Sequence, residues 1–167
     1  MMKKLLVPLD GTSFAEQALN HELLSDFKEG VDIVLVHSLD LNQVVGPPQA
    51  LLPQAFAELL EQRQGYLQSY LDRQVARLKE KGFSTARAVL ETGNPVDAIV
   101  RVAHEQNVDL ILLSSHARGG LARLFLGSVA EGVLRHAGLP VLIVPPTQEK
   151  SHDETTGQNA VVGELVL

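Results

Sequence analysis

Two short stretches hold residues suited to binding an anion. The first is Asp10-Gly11-Thr12-Ser13, which follows the apolar run Leu5 to Leu9. The second is Ser114-Ser115-His116-Ala117, followed after nine residues by Gly127-Ser128. Ser128 opens a helical pattern and has Glu131 three residues on, the spacing of a capping box. A helix start points free amides and the positive end of its dipole outward, and a serine hydroxyl adds a donor, so phosphate is the natural guest. Each residue also has a plainer reading. Ser128 serves equally well as a simple helix cap, and Asp10 as a turn residue. His116 is either a ligand or a solvated loop histidine. Arg118 and Arg123 read as solvated loop charges, although either could reach a phosphate. His37, inside an apolar run, reads as a hydrogen-bonded core residue rather than a ligand.

Other chemistry finds no support. There is no GxxxxGK[ST] phosphate loop and no GxGxxG after the first apolar run. His21-Glu22 begins like a zinc-binding HExxH, but Ser25 stands where the second histidine belongs. No Ser/His/Asp order and no carboxylate pair can be argued from spacing.

The bulk composition sets the frame. The chain has 167 residues, 45% hydrophobic and 20% charged, which suits one globular domain. A net charge of -6 and the lack of a basic run argue against nucleic acid and anionic membrane as partners. With no cysteine, disulfides, thiolate metal sites and thiol catalysis are excluded. The apolar run after Met1-Met2-Lys3-Lys4 is too short for a signal peptide, and no span reaches transmembrane length, so a cytoplasmic protein is expected.

Strand-like and helix-like segments alternate around these stretches. Leu5 to Leu9 reads as a strand. A helix follows with Ala15, Ala18, Leu19, Leu23 and Phe27 on one face, opened by a Ser13/Glu16 capping box and ended by Gly30. Val31 to His37 is a second strand, and 39–54 is a Pro- and Gly-bearing loop. A long helix carries Leu60, Leu67, Leu71, Val75 and Leu78, a stripe that reads as core or interface. A third strand covers about Ser84 to Leu90. Asn94-Pro95 starts a helix with Val96, Ile99, Val100 and Ala103 buried. Val108 to Ser114 reads as a strand covered on both faces, and Val141 to Val144 as a fifth. Such alternation predicts an α/β fold, a single doubly wound parallel sheet with helices on both faces. The first and fourth strands should be central, so that Asp10 to Ser13 and Ser114 to Arg118 line one crevice. The domain is expected over 1–146. Residues 147–160 read as a polar linker and Val161 to Leu167 as an apolar tail, either docked or disordered.

The combination of VPLDGT, VLVH, GNPVDAI, the nine-residue spacing to Gly127-Ser128-Val129-Ala130-Glu131 and the closing LPVLIVP resembles the universal stress protein family over residues 3–145. In that family the spacing is GxxG, nine residues, then G followed by S or T. Ser114 and Ala117 replace the first two glycines here. Ala117 adds only a methyl, and Ser114 adds a hydroxyl that could donate to a ligand. The resemblance implies a Rossmann-like sheet of strand order 3-2-1-4-5. It implies ATP, AMP or ADP with adenine against Pro8, Leu9, Asp10 and Ser38, and Leu113 in the same wall. The phosphates would lie over Ser114, His116, Ala117, Arg118, Gly127, Ser128, Val129 and Ala130, with any Mg²⁺ held mostly by the phosphates. It further implies a homodimer through Val141, Leu142, Ile143 and Val144, and an effect read by a further protein partner. Two alternatives stand beside this reading: a dimeric interaction module that has lost the nucleotide, and a slow ATPase.

Overall fold

The computed structural model describes residues 3–21, 24, 30–41, 53–114 and 126–144. Within them the chain runs β1 (Lys4–Pro8), α1 (Ser13–Asn20), β2 (Asp32–Leu39), α2 (Pro53–Glu80), β3 (Arg87–Thr92), α3 (Pro95–Glu105), β4 (Leu110–Ser114), α4 (Ser128–His136) and β5 (Val141–Val144). The strands form one five-stranded sheet in the order β3-β2-β1-β4-β5, with every pair parallel. The expected doubly wound α/β fold and strand order are therefore observed. The 147–167 tail lies outside the described residues.

The sheet is buried on both faces, which explains the nearly continuous apolar runs of its strands. Side chains alternate between faces along each strand. Leu5, Val7, Ile33 and Leu35 pack with Leu19, Leu71 and Leu78 on the side of α1 and α2. Leu6, Val34, Val36 and Ile111 pack with Ile99, Val102 and Val133 on the side of α3 and α4. Each such fully buried aliphatic side chain contributes about 1.5–3 kcal/mol by leaving water.

Local signals set several boundaries. Asn94 caps α3, its Oδ1 accepting from the amides of Val96 at 2.9 Å and Asp97 at 3.3 Å, with Pro95 at the first helical position. Gly93 takes φ +121, a left-handed conformation that favours glycine, and its carbonyl receives the Ser38 hydroxyl at 2.8 Å. That bond ties the end of β2 to the turn between β3 and α3. The long helix α2 stops at Glu80, before the expected Lys81-Gly82.

Four local expectations are corrected. α1 ends at Asn20, not near Gly30, because His21 turns to an extended backbone. The Lys81 ammonium reaches Asn20 Oδ1 at 2.8 Å and the Leu19 carbonyl at 3.4 Å, placing a cation where helix carbonyls end. Leu23 and Phe27 lie outside the described residues. Neither capping box forms: Thr12 caps α1 while Glu16 turns to Arg77 at 3.3 Å, and Gly127 is the cap of α4 while Glu131 pairs with Arg135 at 2.7 Å. β3 starts at Arg87 rather than Ser84, since the Ala86 amide closes a turn on the Phe83 carbonyl at 3.0 Å. The buried face of α3 is Ala98, Ile99, Val102 and Ala103, and Val96 and Val100 are only half-buried. It packs against both β2 and α4, which rotates its inward face.

Candidate functional site

The carboxyl ends of β1, β2 and β4 open into a cleft of about 670 Å³. This is the crevice position expected for a doubly wound sheet, where neighbouring crossovers leave in opposite directions. α1 and α2 bound it on one face of the sheet, and α3 and α4 on the other.

The β1 exit supplies Pro8, Leu9 and Asp10. Asp10 is held by the turn it starts. Its Oδ1 accepts from the Thr12 amide at 2.9 Å and from the Thr12 hydroxyl at 2.6 Å. Thr12 Oγ1 in turn accepts from the Ala15 amide at 3.2 Å. One relay thus fixes the carboxylate and caps α1. From β2 come Val36, His37, Ser38 and Leu39. The Ser38 hydroxyl is committed as donor to Gly93, as described above.

Leu113 and Ser114 reach the cleft from β4. The Ser114 hydroxyl donates to the Phe14 carbonyl in α1 at 2.5 Å. The hydroxyl expected to be able to serve a ligand is here engaged by the backbone of the neighbouring helix.

Across the cleft lies the start of α4, with Gly127, Ser128, Val129 and Ala130 in its lining. Gly127 is an N-cap without a side-chain hydrogen bond, and the first intrahelical bond runs from the Glu131 amide to the Gly127 carbonyl. No helical carbonyl serves the amides of Ser128, Val129 and Ala130. Ser128, being inside the helix rather than capping it, keeps its hydroxyl beside those amides. The place suits an anion because unmet donors and the helix dipole act together.

Ten nominated residues thus surround one cleft: Pro8, Leu9, Asp10, Ser38, Leu113, Ser114, Gly127, Ser128, Val129 and Ala130. His116, Ala117 and Arg118 lie outside the described residues. Among the described residues, no group of three or more His, Asp or Glu side chains could hold a metal.

The sequence reading missed the wall contributed by α2. Arg63, Tyr66, Leu67 and Tyr70 line the cleft, and so does His37. The signal was available as spacing: positions 63, 66, 67 and 70 share one helix face. What periodicity could not say is that this part of the stripe lines the cleft, with Leu67 and Tyr70 buried and Arg63 and Tyr66 exposed. Arg63 lies 6.0 Å from the centroid of the exposed Tyr66 ring. Burial lowers the pKa of His37 from its ordinary 6.5, against the Leu9 carbonyl and the charge of Asp10, which raise it; Arg63 lowers it further. Burial, followed by the charge of Glu16, holds the Tyr70 proton well above the usual phenol range. Both side chains are therefore neutral near pH 7.

A profile of the universal stress protein family matches residues 1–145. Universal stress protein MJ0577 of Methanocaldococcus jannaschii is 28% identical over 155 residues, spanning 86% of this chain and 95% of that protein. Its solved structure superposes with a TM-score of 0.73, covering 89% of this chain and 99% of the other. A universal stress protein in complex with cAMP has the same fold at 22% identity and TM-score 0.59, over 87% of this chain and 98% of that one. So does an Arabidopsis thaliana family member with AMP bound, at 16% identity and TM-score 0.60, over 91% and 97%. By sequence over nearly its whole described length, and by strand order, the chain belongs to the universal stress protein family.

Proposed function

We propose that this chain is a cytoplasmic stress-response protein that binds an adenine nucleotide, ATP in the first instance, and acts as a homodimer whose shape a protein partner reads. The observation that carries the nucleotide is the start of α4, whose cap Gly127 makes no side-chain hydrogen bond, facing the β1 exit across a cleft with apolar walls. Pro8, Leu9 and Leu113 offer those walls to a base. The amides of Ser128, Val129 and Ala130 and the Ser128 hydroxyl offer donors to phosphate. Bound cAMP and AMP in proteins of the same fold support the adenine part of the reading. A Mg²⁺ ion brought with ATP would neutralise phosphate charge and be held mostly by the phosphates themselves. The dimer reading is supported by β5, which ends the sheet with Val141, Leu142 and Ile143 half-buried. An apolar strand with unpaired backbone groups favours pairing with a second copy.

A second reading keeps the dimer and drops the nucleotide. It is favoured by Ser114, which stands where the family pattern has a glycine and binds α1 instead. Native mass spectrometry of the purified protein and calorimetric titration with ATP, ADP and AMP in Mg²⁺ separate the two. A co-purifying nucleotide or saturable heat is the expected result. The absence of both from concentrated protein leaves the interaction module as the function.

A further inference from the structure

Two buried polar atoms in the cleft wall have no partner at full hydrogen-bond geometry among the described residues: His37 Nδ1, and the Tyr70 hydroxyl, which feels the Glu16 carboxylate without closing a full bond to it. Their residues are only 9% and 7% exposed, so solvent does not compensate them. Leaving such groups unmet is costly, and proteins rarely do so without a ligand or ordered water in mind. Both residues line the cleft, His37 from β2 and Tyr70 from α2.

Their chemistry is restrictive. His37 is neutral, so one ring nitrogen carries the proton and the other accepts. The ring's hydrogen bond is to the Leu9 carbonyl, and Nδ1 does not make it. Nδ1 is then the acceptor nitrogen. The Tyr70 hydroxyl can donate and accept. A phosphate is the wrong guest here, because the carboxylate of Asp10 acts on both side chains and that of Glu16 on Tyr70. Arg63, a cation that also acts on His37, lines the same cleft but is solvent-exposed, so its charge is screened there. The free amides of α4, which suit the anion, lie on the opposite face of the sheet.

We propose that His37 Nδ1 and the Tyr70 hydroxyl form a hydrogen-bonding station in the cleft wall that takes an uncharged N–H or O–H donor of the bound nucleoside. This rests on the nucleotide-binding reading and deepens it by naming side chains that read the nucleoside rather than its phosphates. The donor is either the base amino group or a ribose hydroxyl. The pair orients the ligand, with the uncharged half toward α2 and the phosphates toward α4.

Calorimetric titration of the full-length parent, Tyr70→Phe and His37→Leu tests this, with ATP, 2′-deoxy-ATP, 3′-deoxy-ATP and purine riboside triphosphate, which lacks the amino group. Each variant is expected to bind ATP about five- to tenfold more weakly than the parent. Unliganded Tyr70→Phe is expected to melt no lower than the parent, since the hydroxyl it loses makes no bond of full geometry and its removal also relieves burial of a polar group. The truncated nucleotide that parent and Tyr70→Phe bind alike identifies the donor, because removing both partners of one bond costs no more than removing one. The inference is overturned if both variants bind ATP as the parent does, or if every truncated nucleotide still distinguishes parent from variant as strongly as ATP. It also falls if unliganded Tyr70→Phe loses stability, which would make the hydroxyl part of the fold. Absence of heat from the parent with every nucleotide overturns the nucleotide-binding reading and this inference together, whereas variants that match the parent overturn the inference alone.

Discussion

Ser114, the last residue of β4, donates its hydroxyl to the carbonyl oxygen of Phe14 in the first turn of α1, across 100 positions of sequence. The bond joins the end of β4 to the helix that follows the β1 exit, two elements that line the same cleft. It explains how a side chain can be accommodated where the family pattern has none: the hydroxyl turns toward α1.

Ser114→Gly is expected to break this tie. Stability should fall by about 1–2 kcal/mol, from the lost hydrogen bond and the added freedom of the unfolded chain. ATP affinity should stay equal or rise, because the substitution restores the family residue and leaves the amides of α4 untouched. Urea unfolding and calorimetry on the same preparation check both. A loss of affinity larger than the loss of stability would show Ser114 acting on the ligand.

Gly127→Val places a branched side chain at the cap of α4, beside the amides offered to phosphate. Gly127 has φ -61, so the backbone accepts valine without strain. The fold should persist. The parent should gain about 2.7 kcal/mol of stability from ATP at a hundredfold excess over its dissociation constant, and the variant should gain none. Thermal melts with and without ATP give the comparison.

Gly132 of α4 faces α3 so closely that an added Cβ would stand 2.6 Å from Val96 Cγ2. Valine has little rotamer freedom in a helix and cannot swing aside. Gly132→Ala is expected to push the helices apart and cost about 1–3 kcal/mol despite the better helix propensity of alanine. Adding Val96→Ala should recover part of that loss. Chemical unfolding of the single and double variants measures the coupling.

His37 predicts a pH dependence of known sign. Its folded pKa lies below 6.5, so below pH 6.5 the unfolded chain binds the proton first. The parent should lose stability as pH falls from about 6.5 toward the folded pKa, with a slope of at most about 1.4 kcal/mol per pH unit from this residue. Above 6.5 the contribution is constant. His37→Leu should flatten that segment of the stability curve relative to the parent, and an identical slope would remove His37 as its source.

Leu142→Lys introduces a charge midway along β5, the edge strand that pairs with β4 on one side. Sedimentation should shift from dimer toward monomer, since a lysine on an edge strand opposes strand pairing. A dimer that persists unchanged would move the interface elsewhere.

The alternation of apolar runs with helical faces was enough to read the fold, because a parallel sheet covered on both sides leaves a distinctive pattern. Asn94-Pro95 marked its helix start for a similarly local reason: cap and helix are within three residues of each other. Asp10 and Gly127-Ser128 were legible as candidates because they sit at element ends, where unmet backbone groups collect. The caps of α1 and α4 misled because Thr12 and Ser13, or Gly127 and Ser128, differ by one position, and only neighbours decide which one is the cap. For α1 that neighbour is Asp10, which positions Thr12; Glu16 meanwhile turns to Arg77, 61 residues away. The α2 wall and the pair His37 and Tyr70 needed the tertiary structure, since helical spacing shows which residues share a face but not what the face lines. Ser114 shows the same limit at a single atom. Its type announces a hydroxyl, and the packing of α1 against β4 determines where that hydroxyl points.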